Sequence, residues 1–120
     1  MPPEPANRLV HLELHTGELG AARAFYERLL GWQPQEISTC HGSYLSLQLG
    51  AGVGGGLVQC PTQRSLWLPY VEVGDVPQAT AAACSFGASL LLAPREGPAG
   101  WRSVISTHAG GELALWQSKR

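Results

Sequence analysis

The chain has 120 residues and a formal net charge of -1, which suits a single domain or two half-domains that share a core. It contains no run of Lys or Arg that would neutralise phosphates, so we expect no nucleic-acid partner. No apolar run approaches the roughly 20 residues that span a bilayer, and the Pro-rich start lacks a signal peptide's apolar segment. We therefore expect a cytoplasmic protein with no membrane partner. Cys40, Cys60 and Cys84 are far apart, which predicts reduced thiols.

Residues 10–16 alternate apolar and polar side chains with a period of two and predict the first strand. The apolar residues then face one side of a sheet, while His11, Glu13 and His15 face the other. Two imidazoles and a carboxylate on one face indicate a surface that lines a metal, a small molecule or water.

The first half of the chain continues with a helical pattern that starts at Leu19 and ends at Gly31, since Gly tolerates the left-handed conformation at a helix C-terminus. Residues 32–38 and 43–49 predict two strands, and a last strand follows a Gly-rich run at Leu57–Cys60. This half is predicted to be a β-α-β-β-β unit.

The second half repeats the first when the sequence is shifted by 57 residues without gaps, so that residues 43–47 fall on 100–104. We predict a single α+β domain of two tandem βαβββ modules: module one at about 8–60, a linker at 61–65, and module two at about 66–117. One helix leaves one face of each small sheet bare. We therefore expect one curved eight-stranded mixed sheet with the helices on its convex face.

The concave face of that sheet carries the candidate site, because no helix covers it and exposed aromatic patches usually serve a ligand or partner. Strand alternation and the repeat assign the ligand-binding candidates: His11, Glu13, Tyr44, Gln48, Leu57, Gln59, Leu68, Tyr70, Trp101, Ser103 and Trp116. Gly55 is predicted on the same face, where a missing side chain lets a flat ligand approach. The segment 94–100, rich in Gly and Pro, is interpreted either as a mobile flap or as a rigid connector.

The chain resembles the vicinal oxygen chelate superfamily, which includes glyoxalases, extradiol dioxygenases and bleomycin-type antibiotic-resistance proteins. The resemblance is carried by His11, by the segment Phe-Tyr-Glu-Arg-Leu-Leu-Gly-Trp at 25–32, and by the segments 67–73 and 110–116. It extends over nearly the whole chain and implies the duplicated fold predicted above.

Metal-dependent members of that superfamily take one ligand from the first strand and one from the last strand of each half. By resemblance those positions are His11, Leu57, Leu68 and Ala114. Leu and Ala offer no lone pair, and a catalytic divalent ion needs about three protein ligands. We therefore expect neither a metal nor a cofactor, as in the metal-free antibiotic-resistance members.

The first functional hypothesis is a homodimeric, metal-free binding protein without catalytic residues. By resemblance it sequesters a hydrophobic, planar aromatic natural product, of enediyne or aromatic polyketide type, and so confers antibiotic resistance; a cationic ligand would be better served by a more acidic cleft. The alternative is an enzyme. It is either a glyoxalase-like lyase, isomerase or dioxygenase with a rearranged metal site at His11, Glu13 and Glu72, or a metal-free catalyst with His11 or Glu13 as general base. A third hypothesis is an interaction role only.

Overall fold

The computed structural model describes residues 7–39, 42–61 and 65–119, so Cys40 and most of the predicted linker lie outside the described residues. Two runs of one strand, one helix and three strands follow each other, which confirms the predicted α+β class. The elements are β1 (Leu9–Thr16), α1 (Leu19–Leu30), β2 (Gln35–Thr39), β3 (Gly42–Gln48), β4 (Gly54–Gln59), β5 (Leu66–Glu72), α2 (Val76–Ser85), β6 (Ser89–Glu96), β7 (Gly100–Ser106) and β8 (Glu112–Ser118).

Two compact units make up the chain. One is His11–Leu68, called module one from here on, and the other, module two, contains the described residues up to Val10 and from Pro69 onward. In module one the strand order is β2-β3-β4-β1, with β4 parallel to β1 and antiparallel to β3. In module two it is β5-β8-β7-β6, with β8 parallel to β5 and antiparallel to β7. Each module therefore has a mixed sheet, with one parallel and two antiparallel strand pairs.

Helix α1 ends as the sequence predicts, at Gly31, which has a φ of 70° and donates its backbone N–H to the carbonyl of Glu27. The helix lies on a core of buried strand leucines, to which it contributes Leu19, Ala22 and Tyr26. The buried leucines are Leu14, Leu45, Leu47 and Leu57. No helix among the described residues is long and apolar enough to cross a membrane.

Helix α2 begins at a polar cap, because the carboxylate of Asp75 accepts the backbone N–H of Gln78 over 2.9 Å. The helix buries Thr80, whose hydroxyl donates to the carbonyl of Val76 over 2.6 Å. Oγ of Ser103 on β7 lies 2.7 Å from Oγ1 of Thr80. This buried contact shows which side of the module-two sheet faces α2.

Each sheet thus has a helix face and an opposite side, which we call the distal face. Residues directly opposite each other on paired strands share a face. In module one Leu57 pairs with both Leu14 and Leu45, and these residues form the helix face, so Glu13 and its partner Gly56 lie on the distal face. In module two the same alternation places Tyr70 and Ala114 on the distal face.

Candidate functional site

The distal face of module one carries a hydrogen-bonded row on β1, in which one carboxylate joins two imidazoles. Nε2 of His15 donates to Oε1 of Glu13 over 2.7 Å, and Nε2 of His11 donates to Oε2 over 3.2 Å. The Glu13 side chain is 16% exposed, and those of His11 and His15 are 29% and 26% exposed. Both carboxylate oxygens are therefore engaged by neighbours on the same strand.

The environment of Glu13 favours its ionised form. Burial is the largest single effect and by itself raises the pKa of the carboxyl. The hydrogen bonds from the two imidazoles and their positive charge act against burial and together outweigh it, lowering the pKa from 4.5 to about 2. Glu13 is a carboxylate at neutral pH, held between two bases.

Strand β3 adds polar side chains to the same face. Gln48 lies in the row of His11, because both pair with Gly54, and Ser46 lies in the row of Glu13, because both pair with Gly56. Tyr44, two residues before Ser46, shares this face and is 36% exposed. The prediction that His11, Glu13, Tyr44 and Gln48 share one face is confirmed.

The distal face of module two carries an aromatic pair next to a guanidinium. The rings of Tyr70 and Trp116 have centroids 6.3 Å apart and are tilted by 57°. Nη1 of Arg102 donates to the phenol oxygen of Tyr70 over 3.0 Å. Tyr70 is buried, whereas Trp116 and Arg102 are partly exposed. Leu68, two residues before Tyr70 on β5, is buried.

Two predicted site residues of module one lie on the helix face instead. Leu57 is fully buried in the leucine core. The side chain of Gln59 accepts the backbone N–H of Leu19 over 3.0 Å and donates to the carbonyl of Gly17 over 2.6 Å, so it fixes the start of α1. The prediction for Gly55 is also wrong, because a Cβ there would meet Leu49 of the helix-face cluster at 2.7 Å.

Two predicted site residues of module two are misplaced in the same way. Ser103 is fully buried against Thr80 of α2, and Trp101, two residues earlier on β7, shares that helix face. Their assignment to the face of Tyr70 is wrong. The residue between them, Arg102, occupies the distal position that the sequence assigned to its neighbours.

All of these errors have one cause, which is a single extra residue in the second module. A shift of 57 residues relates Leu14 on β1 to Val71 on β5, and both lie on helix faces. In the later strands the structural partner of Leu57 is Leu115, one residue beyond the gap-free match to Ala114. A slip of one residue moves every side chain of a strand to the other face. The alignment with one gap would have identified Arg102 as a distal-face residue.

The residues present do not fit the superfamily's metal site. In the corrected alignment the module-one position that matches Ala114 is Gly56 rather than Leu57, so among the four positions only His11 carries a donor atom. Among the described residues no group of three or more His, Cys, Asp or Glu side chains is arranged to hold a metal ion. We derive no metal-dependent step for this chain.

Comparison with known proteins gives structural matches only. No family model matches the sequence, and no curated protein matches it. A hypothetical protein from Bacillus halodurans C-125 is similar with a TM-score of 0.71 and 11% identity over 97% of each chain. A glyoxalase/bleomycin resistance protein/dioxygenase superfamily member from Vibrio splendidus 12B01 is similar with a TM-score of 0.62 and 18% identity, over 94% of this chain and 99% of that one.

Methylmalonyl-CoA epimerase from Mycobacterium tuberculosis is similar with a TM-score of 0.59 and 16% identity, over 93% of this chain and 88% of the epimerase. Identities this low relate the folds and leave the chemistry open, because one fold supports many functions. The two βαβββ modules, with the strand pairing described above, have the vicinal oxygen chelate fold.

Proposed function

We propose that this protein binds a hydrophobic, planar aromatic small molecule on the distal face of module two and sequesters it without a metal. The observation that carries this proposal is the cluster of Tyr70, Trp116 and Arg102, where two aromatic rings and one guanidinium lie on the side of the sheet away from α2. Aromatic side chains supply most of the affinity in small-molecule sites, while a few polar groups orient the ligand. Trp101 lies on the helix face and is not part of the proposed site, whereas Arg102 lies on the distal face and is part of it.

The state of Glu13 favours binding over general-base catalysis by that residue. A general base is most effective when its pKa lies near the working pH. The pKa of Glu13, about 2, leaves the carboxylate a weak base at neutral pH. Its two hydrogen bonds instead hold the imidazoles of His11 and His15 in fixed positions.

The test of the proposal is isothermal titration calorimetry with a panel of aromatic polyketides, enediynes and simpler fused-ring compounds. Trp116 and Trp101 form a matched pair, since both are partly exposed and lie on opposite faces of module two. Trp116→Ala should weaken binding about tenfold or more, the effect of losing one stacked ring, and Trp101→Ala should not. Binding that depends on Trp101 alone, or no binding at all, would contradict the proposal.

Sequestration without a metal predicts two further results, one for the bound compound and one for the metal content of the protein. Mass spectrometry should recover it unchanged after prolonged incubation, and protein purified without chelator from metal-supplemented cultures should contain no stoichiometric metal. About one ion per chain that is lost in His11→Ala would instead support the metal-dependent alternative.

A second candidate function is proton transfer, and it is favoured by one observation: two imidazoles are each hydrogen-bonded to an ionised carboxylate. A carboxylate in this position holds the imidazole ring of a His in a fixed orientation, as general acid–base catalysis requires. Methylmalonyl-CoA, the substrate named by the similar epimerases, is the first compound to test. Deuterium uptake from D2O that is lost in His15→Ala would support this function, and no uptake would exclude that substrate.

We also propose that the protein is a homodimer. Helix α1 exposes Phe25 at 57%, Leu29 at 62% and Leu30 at 51%, and soluble proteins rarely leave extended apolar patches uncovered. Light scattering at micromolar concentration should give twice the mass of 12.8 kDa. A monomer at that concentration would contradict this proposal.

A further inference from the structure

A single row of side chains crosses all four strands of module two on its distal face. Glu72 on β5 lies directly opposite Trp116 on β8. Trp116 lies directly opposite Arg102 on β7, and Arg102 lies directly opposite Arg95 on β6. The register therefore places Arg102 beside Trp116 and Arg95 beside Arg102.

The two arginines are neighbours of like charge. Residues directly opposite each other on antiparallel strands have Cβ atoms about 4.5–5.5 Å apart, and like charges in such pairs destabilise the sheet. Arg102 is partly buried, which removes some of the water that would screen its charge. Its hydrogen-bond partner among the described residues is the neutral phenol of Tyr70.

Two acids lie in or next to this row, Glu72 in the row itself and Glu96 beside Arg95 on β6, and both are engaged with other bases. Oε1 of Glu72 lies 3.6 Å from Nη2 of Arg8. Oε2 of Glu96 lies 3.4 Å from Nζ of Lys119, and Glu96 pairs with Trp101 of the helix face.

Across residues 7–39, 42–61 and 65–119, no carboxylate lies within ion-pair distance of Arg95 or Arg102. Two arginines at neighbouring positions of one row, neither with an acid partner among the described residues, create a local excess of positive charge that an anion can neutralise.

We propose that the ligand of this face is an aromatic carboxylic acid, whose carboxylate is bound by the guanidinium of Arg102 with the charge of Arg95 adding to the attraction, and whose ring contacts Trp116. This inference rests on the proposed function and names its ligand class. A guanidinium binds a carboxylate with two parallel hydrogen bonds, which a flat indole surface next to it complements. Neighbouring strands are about 4.8 Å apart, so a carboxyl group attached directly to a fused ring system reaches Arg102 while the rings lie against Trp116.

The test compares two probes of nearly the same shape, 2-naphthoate and 2-naphthamide, by isothermal titration calorimetry. The wild-type protein should bind the anion about tenfold or more tightly than the amide, the effect expected of charge-assisted hydrogen bonds. Arg102→Gln should abolish this preference, and Arg95→Gln should reduce it. Arg102→Lys keeps the charge without the planar fork and should retain part of the preference. Arg28→Gln on α1 is the control that should change nothing.

The outcomes separate this inference from the proposed function. Equal binding of both probes by the wild-type protein would overturn the inference and leave aromatic binding intact. Binding of neither probe, together with no binding of the wider aromatic panel, would overturn both. A preference for naphthoate that survives in the Arg95→Gln/Arg102→Gln double variant would also overturn the inference, provided that circular dichroism shows the variant folded.

Discussion

The distal faces of the two modules are built on the same strand architecture but distribute charge in opposite ways. In module one a single acid, Glu13, is hydrogen-bonded by two bases on its own strand. In module two a pair of bases, Arg95 and Arg102, has no acid partner among the described residues. Polar side chains that hydrogen-bond one another hold each other in place, whereas charged side chains without a counter-charge can bind an oppositely charged ligand. The difference therefore indicates which face is the better site for a charged ligand.

The difference between the two distal faces depends on which residues of each strand face the helix, and substitution of Leu57 is the most severe test of that assignment. Leu57→Ala removes a fully buried side chain from the leucine core and should lower the free energy of unfolding by about 3 kcal/mol. Val58→Ala, one residue later and on the distal face, should cost about 1 kcal/mol. Urea denaturation measures both. A cost for Leu57→Ala below that of Val58→Ala would mean that the faces are reversed.

The hydrogen-bonded row of His11, Glu13 and His15 in module one predicts that the folded protein loses stability in acid. Because the pKa of Glu13 is lowered in the folded state, its stabilising contribution is present above about pH 4.5 and is lost as the pH falls toward 2. Glu13→Gln should reduce the loss of unfolding free energy between pH 6 and pH 2.5 by about 2 kcal/mol. Glu27→Gln on the exposed surface of α1 is the control and should leave the pH profile unchanged. Identical acid profiles for wild type and Glu13→Gln would refute the account of this row.

Substitutions on the helix face of module two should change the stability of the protein and leave ligand affinity unchanged. Ser103→Ala removes the hydroxyl that lies 2.7 Å from Thr80 and should cost about 1 kcal/mol. Thr80 keeps its hydrogen bond to the carbonyl of Val76, which limits the loss. Ligand affinity, measured by calorimetry in the same variant, should not change. A large loss of affinity with unchanged stability would return Ser103 to the binding site.

The smallest expected effect concerns Arg95 and Arg102 of module two, which have no acid partner among the described residues. Arg95→Gln removes a like charge opposite Arg102 and should stabilise the ligand-free protein by about 0.3 kcal/mol at low salt. The gain should disappear in about 0.5 M NaCl, which screens partly exposed charges. The same variant should bind 2-naphthoate less tightly, so stability and binding move in opposite directions. A loss of both would indicate that Arg95 has an unrecognised structural partner.

Local patterns in the sequence were sufficient for the order of elements and for the polar distal-face residues of β1 and β3, although Leu57, Gln59 and Gly55 were assigned to that face wrongly. Alternation along β1 correctly placed His11, Glu13 and His15 together, and Gly31 correctly ended α1. The duplication gave the order of elements. The hydrogen bonds that join Glu13 to both imidazoles depend on side-chain conformation, and alternation alone does not specify it.

The second face was only partly predictable, because a repeat alignment without gaps carries no information on single-residue insertions. The alignment error of one residue assigned Trp101 and Ser103 to the distal face, and Arg102 between them was assigned to the helix face. Arg95 was missed for a different reason: Gly and Pro in residues 94–100 suggested a loop, but β6 extends through Glu96 and places Arg95 in the sheet.

The most direct test of the central claim is a titration with 2-naphthoate followed through the indole N–H resonances of the four Trp side chains, assigned with single Trp→Phe variants. Trp116 and Trp101 lie on opposite faces of the same module, so each reports on one face. A large shift of the Trp116 resonance, with the Trp101 resonance unchanged, is the result that the account predicts. A shift confined to Trp101, or to neither of the two, would contradict it.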